Sequence, residues 1–305
     1  MEQIIDSVHI NFDTTSLWIL NSALALVMFG VALEIKFEDF KQLSKRPKLV
    51  LTGVLSQFLV LPLLTFVLVW IIQPMASIAL GMFMVAACPG GNISNFITHL
   101  AKGNTALSVT LTAIATLLAI VMTPINLQFW GSLYEPSGAI LKEVAIAPLE
   151  MIKLVALLLG IPLVLGMSVN RFKPILAKKM AKGFKIGSLI FFVVLVFLAL
   201  QKNFSIFLDY VYYVFWIVLA HNLIAFLTGY SLAKALGFIT QDVRSITIET
   251  GIQNSGLGLL LIFTFFDGLG GMALLTAFWG IWHLVSGLAL GTFWGYQPLQ
   301  KKEWV

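Results

Sequence analysis

Two short polar segments stand out because each lies inside a long apolar stretch. Residues 88–95 read CPGGNISN, and residues 249–256 read ETGIQNSG. Proline and glycine weaken the helix hydrogen-bond ladder, and hydrocarbon cannot replace the lost bonds, so unwound backbone at membrane depth must be buried or face a cavity. Glycine and proline also serve for packing and kinks in membrane helices, but two such segments rich in polar side chains favour two interrupted helices at a binding site.

Glu249 is the residue with the strongest chemical requirement. A charged side chain within a span costs about 2.5–3.5 kcal/mol on insertion scales and therefore needs a partner. The basic residues of the surrounding spans fall only at or near span ends, at Lys48, Lys102, Lys234 and Arg244. A bound cation is the simplest partner, and the oxygen atoms of Ser94, Asn95 and Gln253 suit a hard ion such as sodium. Alternatively, Glu249 is protonated or extends to the inner surface.

The composition places these segments in a membrane. Hydrophobic residues make up 59% of the 305 residues, charged residues only 11%, and the mean hydropathy is +0.95. A soluble protein of this composition could not cover its surface with polar groups. The length holds about ten spans of roughly 20 residues with their connections, so no soluble domain is expected.

Apolar stretches of spanning length predict an all-α polytopic protein with nine transmembrane helices. A tail at 1–16 precedes them, and a second tail follows at 296–305. The spans are predicted at 17–34, 47–72, 76–101, 104–127, 145–168, 184–200, 208–234, 243–266 and 271–295.

The basic residues predict the orientation of these spans. If the N-terminus lies outside, most of the 19 Lys and Arg residues fall in cytoplasmic segments, as the positive-inside rule requires. The C-terminus then lies inside, in an inner (plasma) membrane. The net charge of +5 is spread over several loops, which argues against a nucleic-acid partner.

The two interrupted spans occupy matching positions. Each is third in a run of four spans, within 17–127 and 184–295, while span five at 145–168 is left unpaired. The two runs enter the membrane from opposite sides. This pattern predicts an inverted-topology repeat with a binding site where the discontinuous helices cross.

The two polar segments resemble the signature segments of the bile acid:sodium symporter family. Further similarity lies in KFEDFKQLSKRPK (36–48), SQFLVLP (56–62), AKGNTALSVTLT (101–112) and IWHLVSG (281–287). Nine spans with an outside N-terminus resemble the animal carriers more than the ten-span bacterial members. The resemblance implies a core of six spans and a separate panel made of spans one, five and six.

The resemblance also implies the site residues. For a first sodium ion they are Ser94, Asn95, Ser108, Thr112 and Glu249, and for a second ion Gln57, Glu249, Thr250, Ile252 and Gln253. Substrate contacts are implied at Asn92, Ile93, Asn254 and His283. Independently of the resemblance, Ser108 and Thr112 are four residues apart, so an unbroken helix places them on one face.

The expected function is sodium-coupled symport of an organic anion, bile-acid-like or a small carboxylate, by a monomer in the lipid bilayer. Two sodium ions per monoanion would make transport electrogenic. A carrier of the same fold that uses protons or exports its solute is the alternative. An intramembrane enzyme is disfavoured, since the sequence has neither a nucleophile–base pair nor an HExxH motif.

Overall fold

A computed structural model describes residues 22, 25–36, 38, 45–144, 148–202 and 204–298. The predicted tail at 1–16, the start of span one and most of the tail at 296–305 lie outside these residues. The described chain is helical, and its only β-type pairing is an isolated antiparallel bridge between Gly90 and Gln253.

Residues 25–32 are largely helical, and eleven helices follow in the described ranges. They are α1 Pro47–Ile72, α2 Ala76–Ala87, α3 Ile93–Leu100, α4 Thr105–Leu133, α5 Glu135–Val144, α6 148–172, α7 Pro174–Lys202, α8 Phe204–Ala235, α9 Thr240–Gly251, α10 Ser255–Phe265 and α11 Gly270–Tyr296.

Five of the described helices are long and apolar enough to cross a membrane, which makes the chain a multi-pass membrane protein. They are Pro47–Ile72, Thr105–Leu133, Leu149–Phe172, Val211–Ala235 and Gly270–Tyr296. Two shorter apolar helices, α2 and α10, belong to the interrupted segments. The predicted count of nine spans stays a prediction.

The largest differences from the expected helices are found at α7 and α5. Helix α7 begins at Pro174 rather than at residue 184, because the helix continues beyond the apolar stretch through a segment containing Lys178 and Lys182. Helix α5 occupies a connection in which no helix was predicted, and its amphipathic sequence holds a buried face with Leu141. Hydropathy therefore located the apolar segments but not the helix ends in polar surroundings.

Both polar segments interrupt a helix. Helix α2 ends at Ala87 and α3 begins at Ile93, while α9 ends at Gly251 and α10 begins at Ser255. Residues Cys88 and Ile252, which follow the first half of each pair, have extended backbone.

The two interruptions satisfy each other's backbone groups. The Gly91 amide donates to the Ile252 carbonyl at 2.8 Å, and the Asn254 amide donates to the Pro89 carbonyl at 2.8 Å. Unpaired backbone groups at this depth would cost several kcal/mol each, so the pairing makes both interruptions possible. We call this pairing of residues 89–91 with 252–254 the crossing.

Helix α1 contains a wider turn next to the crossing. Residues Ser56–Val60 form a π-helical turn, followed at once by Leu61 and Pro62. Proline has no amide hydrogen for the carbonyl four residues earlier, and the Asn126 side chain donates to that carbonyl of Phe58 at 3.0 Å. Gln57 lies in this π turn, a geometry common at functional sites.

The helices around the crossing form the main core, in which every residue of α2 from Ser77 to Ala87 is buried. Residues 25–36 contribute Met28 to this core and also pack against α6 and α7. Gly30 lies against Phe184, Gly166 lies against Ala32, and the rings of Phe29 and Phe184 meet edge to face at 5.4 Å.

Helices α8 and α9 touch backbone to backbone at Gly229. A Cβ atom there would lie 2.7 Å from the Ile246 carbonyl oxygen and 2.8 Å from the Thr247 Cα. We expect Gly229→Ala to lower the unfolding free energy by about 1–3 kcal/mol, because backbone atoms must move apart. Thermal unfolding in detergent, followed by circular dichroism, measures this.

Gly183→Ala is the matched control, since its Cβ would meet nothing within 4 Å. Alanine favours the helix by up to about 1 kcal/mol over glycine, so this variant should unfold at the same or a higher temperature. Equal melting temperatures for the two variants would contradict the close contact between α8 and α9.

Candidate functional site

The Glu249 carboxylate lies one turn before the crossing, on α9, and is 0% exposed. Three hydroxyl groups are within hydrogen-bonding distance of its oxygens. Ser94 Oγ donates to Oε2 at 2.6 Å, Ser108 Oγ donates to Oε2 at 2.9 Å, and Thr112 Oγ1 donates to Oε1 at 2.6 Å. An ionised carboxylate only accepts hydrogen bonds, and each of these hydroxyl groups can donate to it.

Each donor comes from a helix near the crossing. Ser94 lies in the first turn of α3, and Ser108 and Thr112 lie on one face of α4, as their spacing predicts. The side-chain oxygen of Asn95 is 3.3 Å from Thr112 Oγ1. The structure therefore brings together all five residues that the resemblance implied for a first ion.

A second group of oxygens surrounds the Gln57 and Gln253 side chains. Gln57 Nε2 donates to the Glu249 carbonyl at 3.2 Å, and Gln253 Nε2 donates to the Thr250 carbonyl at 2.8 Å. Both side chains are 1% exposed, and each Oε1 atom is buried without a hydrogen-bond partner. Two unpaired buried acceptors beside a carboxylate are an unusual cost for which a cation would compensate.

Thr250 and Ile252, which the resemblance implies for a second ion, are also close. Their carbonyls accept hydrogen bonds from different donors. The Thr250 carbonyl accepts from Gln253, whereas the Ile252 carbonyl accepts the Gly91 amide in the crossing. A carbonyl oxygen has two lone pairs, so one hydrogen bond leaves a second position open.

Gly90 allows the carboxylate to approach the crossing. A Cβ atom at this position would lie 2.6 Å from Glu249 Oε1 and 3.1 Å from Gln57 Nε2. Any other residue would displace one of these side chains, which explains the need for glycine.

Three of the four implied substrate contacts lie in the crossing or directly after it. Asn92 and Ile93 start α3 and are half-buried, and Asn254 caps α10 by accepting the Leu257 amide at 3.1 Å. His283 lies on α11, is 5% exposed, and has a buried Nδ1 without a hydrogen-bond partner. Among the described residues, no hydrogen bond links His283 to the other three.

Several residues at the site were not expected from the sequence. Asn222 Nδ2 donates to the Gly251 carbonyl at 2.8 Å, and Ser286 Oγ donates to Asn222 Oδ1 at 2.6 Å. Thr123 Oγ1 donates to the Ala87 carbonyl at 2.7 Å. These side chains satisfy carbonyls freed where α2 and α9 end. Asn222 could have been noticed as a polar residue inside an apolar span, whereas the resemblance alone singled out Gln57.

A cavity of about 590 Å³ opens beside the site. One wall is formed by residues of α3 and α4, including Asn95 and His99, and the other by residues 33–36, α6 and α7. Lys36 and Lys178 lie on the second wall. Since Asn95 also contacts Thr112, the cavity reaches the edge of the Glu249 cluster.

The fold and the site define a multi-pass membrane protein of the transporter type, with a buried carboxylate where two interrupted helices cross. The family model described as the Sodium Bile acid symporter family matches residues 22–209. The chain belongs to this family, whose members are transporters and not enzymes.

Individual relatives extend the match beyond residue 209. The "Uncharacterized sodium-dependent transporter YocS" of Bacillus subtilis (strain 168) is 34% identical over 92% of this chain and 84% of its own length. The "Ileal sodium/bile acid cotransporter" of Homo sapiens is 30% identical over 78% of this chain and 67% of its own length.

A plant relative is longer than this chain. The "Probable sodium/metabolite cotransporter BASS2, chloroplastic" of Oryza sativa subsp. japonica is 29% identical over 92% of this chain and 64% of its own length. The chain therefore spans about two thirds of that protein.

Removal of one hydroxyl from the Glu249 cluster tests the hydrogen bonds of the cluster. Thr112→Val keeps the side-chain shape but removes a donor to a buried carboxylate, which should cost about 1–3 kcal/mol of unfolding free energy. Thermal unfolding in detergent with choline chloride in place of sodium chloride measures the loss.

Thr116→Val is the matched control, one turn further along α4. Its hydroxyl is buried too but donates to the Thr112 carbonyl at 2.7 Å, a neutral group. We expect a smaller loss of about 0.5–1.5 kcal/mol. A loss at Thr116 as large as that at Thr112 would argue against a special role of the carboxylate.

Proposed function

We propose that this protein is a sodium-coupled symporter of an organic anion that works by alternating access. The observation that carries the proposal is the fully buried Glu249 carboxylate, which is surrounded by hydroxyl and amide oxygens at the crossing. The described partners of this carboxylate include no basic side chain. A cation is the missing positive charge, and the family's sodium-dependent relatives favour sodium.

The first sodium ion would bind among Ser94, Asn95, Ser108, Thr112 and Glu249. The three hydroxyl groups that now donate to the carboxylate would turn their lone pairs toward the ion. The carboxylate would neutralise its charge. All these side chains already meet around Glu249, so binding requires only local adjustment.

The second sodium ion would bind among Gln57, Glu249, Thr250, Ile252 and Gln253. The unpaired Oε1 atoms of Gln57 and Gln253 are the strongest support, since each is a buried acceptor without a donor. The C-terminal end of α9 adds the partial negative charge of its helix dipole. Together these groups would bind a second monovalent cation.

The substrate anion would bind at the N-terminal ends of α3 and α10, the second halves of the two interrupted helices. Helices α3 and α10 begin at the crossing, and their N-terminal amides and dipoles favour an anion. Asn92, Ile93 and Asn254 lie there, with His283 as a further contact. The human ileal relative is named for bile acid. This name supports a substrate that joins a carboxylate or similar anionic group to an apolar skeleton.

The proposed architecture is an inverted repeat of nine spans. Spans one, five and six would form a panel that moves against the other six. The cavity supports this arrangement, because one of its walls comes from residues 33–36, α6 and α7 and the other from α3 and α4. Alternating access would follow from movement of these two walls around the fixed crossing.

The proposed location is the inner (plasma) membrane, with the N-terminus outside and the C-terminus in the cytoplasm. The cavity then faces the cytoplasm, since it contains Lys36 and Lys178 from positively charged segments. One copy of the chain supplies every side chain of the proposed cation sites, so we propose a functional monomer.

Glu249→Gln tests the proposal directly. The amide keeps the size of the side chain but removes the negative charge that both ions would share, so sodium-dependent uptake should fall to background. Uptake of radiolabelled organic anions into proteoliposomes, with sodium or choline outside, measures this. Glu135→Gln, at an exposed carboxylate on α5, is the control and should retain uptake.

Two results would contradict the proposal. Wild-type uptake that survives replacement of sodium by choline would favour the proton-coupled or exporting alternative. A Glu249→Gln variant with normal sodium dependence would show that the cations bind elsewhere.

The charge balance generates a second prediction. Two sodium ions and one monoanion move one net positive charge inward per cycle, while Glu249 stays with the protein. An inside-negative potential adds about 2.3 kcal/mol per 100 mV to the driving force. Proteoliposomes with this potential should therefore take up a monoanion faster than at zero potential with the same sodium gradient. Equal rates would refute the two-sodium, one-anion scheme.

A further inference from the structure

The inner ends of α3, α4 and α9 are joined by a second set of contacts, away from the crossing. Arg244, near the start of α9, is 3% exposed, and its Nη1 donates to the Ala101 carbonyl at 2.7 Å. Ala101 is the C-cap residue of α3 and directly follows Leu100. The guanidinium therefore caps the helix that carries Ser94.

The surroundings of Arg244 favour this position. The carbonyl end of α3 is the negative end of its dipole, and the Arg244 guanidinium lies over the Trp294 ring at 5.8 Å from its centroid. Asp242, on the same helix, is engaged elsewhere, with Asn104 at 2.7 Å and Arg46 at 3.9 Å.

Asn104 and Ser245 complete the connection. The backbone amide of Asn104 donates to the Gln241 carbonyl at 3.1 Å, and Ser245 Oγ donates to the backbone carbonyl of Asn104 at 3.0 Å. The turn between α3 and α4 is thus bonded to α9 through backbone and side chains alike.

Because α3 is short, the contacts at its two ends determine whether it stays helical and in place. Helix α3 has only 8 residues, too few for a stable helix without tertiary contacts. One end is fixed by the Gly91 amide on the Ile252 carbonyl at the crossing, and the other by Arg244 on the Ala101 carbonyl. Ser94 and Glu249 lie between these two fixed points.

We propose that Arg244 is a positioning residue that holds α3 against α9 and thereby sets the affinity of the Glu249 site for sodium. The proposal rests on the function proposed above. Without the Arg244 bond the inner end of α3 is released, and Ser94 Oγ moves away from the carboxylate it now meets at 2.6 Å. Arg244 itself contacts neither ion nor substrate.

The test compares Arg244→Gln, Arg244→Lys and the wild type in proteoliposomes. At saturating substrate, Arg244→Gln should raise the sodium concentration for half-maximal uptake about tenfold or more. Loss of a residue that orients the ligands of a metal has an effect of this size on metal affinity. At saturating sodium, its maximal rate per folded transporter should stay within about twofold of the wild type. Lysine keeps the charge and one donor but not the flat contact with Trp294, so it should recover part of the affinity.

Lys234→Gln is the matched control for removing a positive charge near the inner surface. Lys234 lies in the last turn of α8 and contacts Tyr230 of its own helix. Its sodium dependence should equal that of the wild type. A shift in Lys234→Gln as large as that in Arg244→Gln would assign the effect to general surface charge and overturn the proposal.

Hydrogen–deuterium exchange in detergent without sodium tests the position of α3 independently of transport. Arg244→Gln should exchange faster than the wild type in residues 93–101, while α10 stays unchanged. Unchanged exchange of residues 93–101 would overturn the positioning role. So would an Arg244→Gln variant that yields less folded protein but needs the same sodium concentration for half-maximal uptake. If wild-type uptake needs no sodium, the proposed function and the affinity claim fail together, and faster exchange would still establish the contact itself.

Discussion

A carboxylate that is 0% exposed requires hydrogen-bond donors, and the donors to Glu249 come from two other helices. Ser94 on α3 and Ser108 and Thr112 on α4 supply these donors. Their positions depend in turn on how α3 and α4 pack against α9. The charge of one side chain thus determines the relative arrangement of three helices.

The interruptions of the two helices are stable because each completes the other. The amides of Gly91 and Asn254 and the carbonyls of Pro89 and Ile252 pair across the crossing. Thr123 and Asn222 satisfy carbonyls where α2 and α9 end. A helix broken at this depth would otherwise leave polar backbone in hydrocarbon. The break also leaves two helix N-termini and two C-termini at one place, with partial charges of both signs available to ions.

The site has different connections on its two sides. On one side, Arg244, Asn104 and Ser245 bond α3 and α4 to α9. Toward residues 33–36, α6 and α7, a cavity of about 590 Å³ separates two walls. The side with dense hydrogen bonds is suited to keep the oxygen atoms around Glu249 in place. The side with the cavity is suited to movement and to passage of a solute.

The sequence by itself determined the features that depend on local pattern. Hydropathy indicated the membrane environment, and proline and glycine at 89–91 indicated an interrupted helix. The four-residue spacing of Ser108 and Thr112 placed their hydroxyls on one face, and a carboxylate in an apolar span predicted a functional role for Glu249. Each conclusion needs only the chain near the residue and the chemistry of lipid.

Only the tertiary structure decided which distant groups meet. In the sequence, Arg244 is a basic residue near a span end. In the structure it is buried, and its guanidinium donates to the Ala101 carbonyl at the C-terminal end of α3. Asn222 reads as an isolated polar residue, yet it caps α9, and His283 is not hydrogen-bonded to the crossing in the described residues. The unpaired oxygens of Gln57 and Gln253 are likewise a product of packing. Such pairs are separated by tens to hundreds of residues, so local periodicity carries no information about them, and the pairing follows from the requirement to satisfy every buried polar group.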